Sequence, residues 1–576
     1  MSSLTRNPNE PIENLAIGKI IEVDGLHLIA ELNPTLCELS RVYAGETYPI
    51  GQFGSIVRVH FGRRLIYAMV GRLRMKSEFQ AERGVVSATS SDERIVEADL
   101  FGEGEWVHGM SSNWELRFER GVSTYPLPQQ TVYLTPKDEL RSIYSKPTGV
   151  CIELGRHVGS EGTPCLADLN ELLGKHTAIL GSTGSGKSGA VAAIVHSILE
   201  NGAAGKYAKW KPRIIILDPH GEYGNAFAEH TRLSTDDETL RLPYWLLNFQ
   251  ETVALLIGKT EFVATSQANI VKSALISARE EGAVCISLDP HLINVDSPVP
   301  YKLATLRAKI DASKPDQPSK QDSHNSILQK LDIMMTDARL RFMMEEWSGD
   351  AKDPFPEVVK QLIGEGPQPR IVDLSGVPNE VAGVSSAVIA RTLFNLKIWQ
   401  TPCEREADPV LLVCEEAHRY VPNRGEAQYE AAQEAIRRIA KEGRKYGIGL
   451  LLVSQRPSEV EATVLSQCNS WIVLRITNDA DCEYVRSILP DSMSGLTKML
   501  SGLRRQEAIF VGQAAVLPSR ILIRDLKPEQ LPRSNDIDFD KGWRNDAISD
   551  DQIKDVVTRW RYQRRCLRLA EPRSTS

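Results

Sequence analysis

No two cysteines in this sequence stand in a C-x-x-C spacing. The nine, Cys37, Cys151, Cys165, Cys285, Cys403, Cys414, Cys468, Cys482 and Cys566, are odd in number and scattered. That leaves neither a disulfide framework nor a zinc pattern and fits a reducing cytoplasm. Met1 to Gly18 has no apolar core segment, so no signal peptide is expected. No run approaches the roughly 18–20 apolar residues that cross a bilayer, so no membrane is expected either. Positive charge is not in excess: the formal net charge is −7. A surface basic all over is excluded, but a narrow basic path for a nucleic-acid strand is not. No internal repeat is visible. What is present is ordinary for a globular chain, 42% hydrophobic and 25% charged. A length of 576 residues predicts about two to four domains.

The first part, residues 1–155, reads as β-rich. Short apolar runs recur at Ile17–Val23, Leu28–Leu32, Ile56–His60, Leu65–Val70, Ile95–Leu100, Trp114–Phe118 and Val132–Leu134, with glycines between them. Many short strands at such spacing predict a small barrel. Gly155–Pro164 reads as a connection. From Leu172 onward the pattern is strand–helix alternation: strands at Thr177–Leu180, Ile214–Leu217, Val372–Leu374, Val410–Val413, Ile448–Val453 and Trp471–Ile476, and helices at Ala190–Leu199 and Glu426–Tyr446. Continuous apolar strands alternating with helices predict a doubly wound α/β core over residues 170–525, with a parallel sheet. A mostly helical insertion is expected at 240–365, with Lys309–Ser326 as a mobile surface loop. Residues 526–576 form a charged and aromatic tail.

Gly181-Ser182-Thr183-Gly184-Ser185-Gly186-Lys187-Ser188 matches the G-x-x-x-x-G-K-[ST] phosphate loop and lies between an expected strand and an expected helix. Glycines let backbone N–H groups wrap phosphate oxygens, and the helix N-terminus adds a favourable dipole. Lys187 is positioned for the β- and γ-phosphates and Ser188 for Mg²⁺. ATP and Mg²⁺ are therefore the expected ligands. Four apolar residues, Val410–Val413, lead into Glu415 and Glu416. We assign Glu415 to the metal side and Glu416 to activation of the attacking water. Gln455, after the strand Ile448–Val453, is placed to sense the γ-phosphate. Arg444, before Gly447, is a candidate arginine finger for a neighbouring subunit, although Arg437, Arg438, Lys441 and Lys445 share its helix. Arg419 and Arg424 follow the acid pair and Arg456 follows Gln455, on expected loops that become candidate DNA contacts only through the family resemblance that follows. Asp218-Pro219-His220-Gly221-Glu222-Tyr223 follows the second core strand, at the edge where ligands of α/β sheets bind; His220 alone reads as structural.

Four segments together resemble the HerA family of hexameric DNA translocases, relatives of the FtsK-type pumps: GSTGSGKS (181–188), DPHGEY (218–223), LLVCEEAHRYVP (411–422) and EGRKYGIGLLLVSQRPSEV (442–460). The resemblance covers residues 170 to 520, and the β-rich N-terminus looks like the small barrel of that family. It implies a RecA-like P-loop ATPase and a homo-hexameric ring with ATP sites at subunit interfaces and double-stranded DNA in the channel. It also implies a separate effector: a NurA-like nuclease, another nuclease, or a sirtuin-like NAD-consuming protein. The implied settings are DNA-end processing or anti-phage defence. Glu415 stands where many relatives carry Asp. Two other readings stay open, a VirB4-type secretion or conjugation ATPase and an ATP-binding assembly scaffold for an effector.

Overall fold

Alternating apolar residues in the N-terminal strands send one face of each into a shared interior. The strands are β1 (Ala16–Asp24), β2 (His27–Leu32), β3 (Ser40–Tyr43), β4 (Glu46–Pro49), β5 (Ile56–Phe61), β6 (Arg64–Met75), β7 (Arg94–His108), β8 (Trp114–Arg120) and β9 (Thr131–Leu134). The order β2-β1-β9-β5-β6-β7 closes through a β2–β7 pairing, giving a six-stranded barrel; β8 lies beside β7, and β3 with β4 forms a separate hairpin. Ile17, Ile20, Leu28, Val57, Val59, Ile66, Val96 and Val132 fill it. A Cβ on Gly18 would stand 2.1 Å from the Glu31 carbonyl oxygen, so the close β1–β2 approach requires glycine there.

The computed structural model describes residues 7–36, 38–84, 93–108, 114–144, 149–158, 163–203, 210–257, 264–364, 366–423, 430–489, 497–533, 538–544 and 548–563. Two compact units divide the chain. The first is Met1–Ser197 with Gln455–Ser458 and Cys468–Asp525; the second is Ile198–Ser454 with Glu459–Gln467 and Leu526–Ser576.

In the first unit, beyond the barrel, lie β10 (Cys151–His157), β11 (Pro164–Asp168) and β12 (Thr177–Leu180), with β18 (Ser470–Leu474), β19 (Glu507–Gly512) and β20 (Ser519–Ile523). They run in the order β11-β10-β20-β19-β18-β12. Only β12–β18 is parallel; β18–β19, β19–β20, β20–β10 and β10–β11 are antiparallel. In this unit the expected parallel pairing is that of β12 with β18, and the antiparallel strands stand beside it. The expected connection at Gly155–Pro164 is also corrected, because Gly155–His157 continue β10 and Pro164 opens β11. Gly155 serves the strand by close approach, since a Cβ there would sit 2.0 Å from the Leu522 carbonyl oxygen. Arg120 of β8 ties the barrel to this sheet by donating to the carbonyl oxygens of Val516 (2.7 Å) and Gly512 (3.2 Å).

The second unit carries β13 (Arg213–Asp218), β14 (Thr231–Ser234), β15 (Arg370–Asp373), β16 (Val410–Cys414) and β17 (Ile448–Ser454). Their order is β17-β16-β13-β15-β14, and every pairing is parallel. Strands β16 and β17 are buried at every residue, which explains their long apolar runs. One helix, Val381–Trp399, is long and apolar enough to cross a membrane by length and composition, which corrects the expectation that no segment is. It is 72% buried within the protein, and its charges are paired. Lys397 donates to Asp408 at 2.8 Å, and Arg391 donates to Glu251 at 2.8 and 2.7 Å. Those partners identify a core helix.

Insertion 240–365 is helical, with helices Phe249–Leu256, Ala264–Cys285, Leu303–Ala312, Asp322–Thr336 and Phe355–Ile363. The expected loop Lys309–Ser326 is corrected: helices cover Lys309–Ala312 and Asp322–Ser326. The second of these begins in polar sequence, and its buried stripe (His324, Ile327, Leu328, Leu331, Met334) appears only when read past Ser326.

Candidate active site

The phosphate loop leaves β12 and enters the helix Lys187–Ala203. Gly184 and Gly186 have φ of +71° and +106°, conformations that a side chain resists. A Cβ on Gly181 would lie 2.6 Å from Ser185 Oγ and 2.9 Å from Leu474 Cβ, so the motif's first glycine is required by space. The loop is moored by Ser182 N–H to the Arg475 carbonyl (2.9 Å), Gln506 N–H to the Ser185 carbonyl (3.1 Å) and Thr477 N–H to Ser182 Oγ (3.1 Å). Lys187 folds its ammonium back over this turn and donates to the Ser182 carbonyl at 3.1 Å. Its charge is therefore held at the helix N-terminus, where N–H groups also favour an anion. Thr183 Oγ1 donates to Gln455 Oε1 at 2.6 Å. The structure thus brings Gln455, 272 residues away in sequence, onto the phosphate loop.

In the second unit, Glu415 and Glu416 leave the end of β16 and are both buried, at 4% and 7% exposure. Two acids at a strand end that merely faced solvent would not be. Tyr223 donates its hydroxyl to Glu415 Oε2 at 3.1 Å. Burial and then the Glu415 charge push the Tyr223 phenol well above its ordinary range, so it remains a donor. Glu416 is left-handed (φ 54°, ψ 51°), a conformation that costs a non-glycine residue about 1–3 kcal/mol and clusters at functional sites. His418 Nδ1 stands 3.3 Å from Glu416 Oε2, and His220 Nε2 stands 3.9 Å from Oε1.

His220 and Tyr223 are delivered by the turn after β13, which Asp218 organises. Its Oδ1 accepts the His220 and Gly221 N–H groups (3.2 and 2.8 Å), and its Oδ2 accepts that of Tyr223 (3.0 Å). Burial pushes the Asp218 pKa up, opposed by those backbone donors, while Asp373 adds to the rise. The DPHGEY segment is therefore a carboxylate-capped turn that supplies groups to both acids. The sequence marked its location but not this construction.

The basic residues separate clearly. Arg437 is pinned to Glu461 (2.9 Å) and Arg438 lies over the Phe394 ring. Arg444 is exposed on a 3-10 turn, Gly443–Tyr446, that follows the helix Glu430–Glu442, and Gly447 (φ 71°) closes it. Among the described residues, Arg444 has no ion pair. Arg419 and Arg456 are exposed on turns after β16 and β17; Arg424 lies outside the described residues.

A glycine-rich phosphate loop between a strand and a helix marks a P-loop ATPase, and the second unit separately carries buried paired acids at the end of a parallel strand. Comparison with known proteins narrows the class. The family model described as "Helicase HerA, central domain" matches residues 152–393. Probable helicase MJECL08 of Methanocaldococcus jannaschii is 28% identical over 78% of this chain and 83% of its own length. The DNA double-strand break repair helicase HerA of Pyrococcus furiosus is 26% identical over 69% of this chain and 73% of its own. VirB4 of Thermoanaerobacter pseudethanolicus is 17% identical over 67% of this chain and 98% of that one, with a TM-score of 0.46. The chain is thus similar to HerA helicases over much of its length, and residues 152–393 match that family's central domain.

Proposed function

We propose that this protein is an ATP-driven translocase of double-stranded DNA, assembled as a ring of six and working with a separate effector chain. The observation that carries the reading is the phosphate loop fully formed, with Gln455 hydrogen-bonded to its Thr183. It is supported by the buried acid pair and by relatives named as DNA double-strand break repair helicases. The loop N–H groups and Lys187 bind the triphosphate and oppose charge developing on the transferred group. Glu416 orients the attacking water and takes its proton. Gln455, joined to the loop through Thr183, reports loss of the γ-phosphate to β17 and the turn carrying Arg456. Arg444, exposed and unpaired among the described residues, reaches the next subunit's site.

The oxygen donors of Ser188 and Glu415 suit Mg²⁺, which is held by few protein ligands beside phosphate oxygens. The ion supplies charge neutralisation on the phosphates. Arg419, Arg424 and Arg456 are assigned to the DNA path, where they would contact the backbone rather than read bases. Chemistry on DNA or NAD is assigned to the effector, a nuclease or an NAD-consuming protein.

ATP turnover measured with and without linear duplex DNA tests this function. Stimulation by DNA in the wild type and its loss in Lys187→Ala are expected. Turnover indifferent to DNA would favour the scaffold reading.

A further inference from the structure

Glu416 poses a question that its assigned role does not answer. Its backbone is left-handed and its carboxylate is buried, yet Oε2 accepts no hydrogen bond. A buried carboxylate oxygen left in that state costs about 1–3 kcal/mol or more. Two imidazoles flank the group. His418 Nδ1 is 3.3 Å from Oε2, and His220 Nε2 is 3.9 Å from Oε1. They come from different elements, His418 from the turn after β16 and His220 from the Asp218-capped turn after β13. Nδ1 of His418 is also 3.3 Å from Ser454 Oγ, at the end of β17. Three adjacent parallel strands therefore converge on one carboxylate.

We propose that His418, supported by His220, is the positioning residue that fixes the Glu416 carboxylate for water activation. The inference rests on Glu416 acting in ATP hydrolysis. Nδ1 of His418 lies within 3.3 Å of both Oε2 and Ser454 Oγ, so the tautomer protonated at Nδ1 presents its N–H to the carboxylate. Oε1 is thereby left facing outward on the His220 side, available to a water. Ring nitrogens at two different positions are used, Nδ1 of one histidine and Nε2 of the other, and this gives the test its specificity. The amide nitrogen of asparagine falls close to the place of Nδ1, and that of glutamine close to the place of Nε2.

Steady-state ATP hydrolysis by the full-length protein, with binding of a fluorescent ATP analogue measured in parallel, is the experiment. His418→Ala should lower kcat by about 10- to 100-fold and leave KM and analogue affinity within about twofold. His418→Asn should recover most of kcat and His418→Gln little of it, while at position 220 the order reverses, Gln above Asn. A structural role for His418 would give equal losses in all three variants, with analogue binding and melting temperature falling together, and that pattern overturns the proposal. So does an unchanged kcat in His418→Ala. If wild-type protein hydrolyses no ATP, the ATPase reading itself fails, which is a separate outcome.

Discussion

Replacing Asp218 by alanine strips the turn after β13 of its organiser, and the structure sets the size of the effect. The side chain is fully buried and accepts three backbone N–H bonds, from His220, Gly221 and Tyr223. A hydrogen bond to a charged acceptor contributes roughly 1.5–3 kcal/mol, and a donor left buried without a partner costs about 1–3 kcal/mol. Three such losses exceed 4 kcal/mol on paper. Desolvation of the carboxylate, which raises its pKa, offsets part of that. Water entering the opened turn offsets more, leaving about 3 kcal/mol of local destabilisation. At about 1.4 kcal/mol per factor of ten, amides of 218–223 should exchange with solvent about 100-fold faster. Hydrogen exchange read on peptides spanning that turn, with the barrel peptides as an internal control, gives the comparison. ATP turnover should drop with it, because Tyr223 and His220 then lose their aim. Exchange within threefold of wild type would refute this account of the turn.

Glu416→Gln should bind ATP normally and lose about 100-fold or more in turnover, checked by equilibrium binding beside phosphate release. Arg444→Ala should be inactive alone and regain turnover when mixed with Lys187→Ala, since mixed interfaces pair an intact loop with an intact arginine; activity in a native-mass monomer would contradict it. Burial disfavours the ionised Asp373 carboxyl, yet Ser375 and Arg232 hold its pKa below the ordinary value. A depressed folded pKa contributes stability above the unfolded value near 3.8 that is lost as pH falls through and below it. Arg232→Ala should therefore shift the acid-unfolding midpoint upward, with a stability loss that is full at neutral pH and shrinks as pH falls through the depressed folded pKa, as circular dichroism across pH would show.

Much of the site was legible because its chemistry is local in sequence. The phosphate loop needs glycines where φ is positive, and the acid pair needs a buried strand before it; both constraints leave spacing that can be read. Gln455 was legible for the same reason, at the end of the apolar strand Ile448–Val453. The supports were not. Asp218 capping its own turn, Tyr223 reaching Glu415 and His418 lying against Glu416 depend on neighbouring strands whose order no spacing records. Strands β19 and β20 are not legible for a similar reason: each is short, and their antiparallel pairing makes no helix crossover to announce it. Helix Asp322–Thr336 opens in polar residues, so composition concealed a stripe that only burial reveals. Arg437 and Arg444 look alike in sequence, and only the Glu461 partner separates them.

Displacement of a triplex-forming strand from linear duplex DNA measures directly whether ATP turnover by this chain is coupled to movement along DNA. Wild-type protein with ATP and Mg²⁺ should release the third strand, and Glu416→Gln, binding ATP without hydrolysing it, should not. Release that proceeds equally well in Glu416→Gln, or robust DNA-stimulated hydrolysis by the wild type with no release at all, would contradict the translocase assignment.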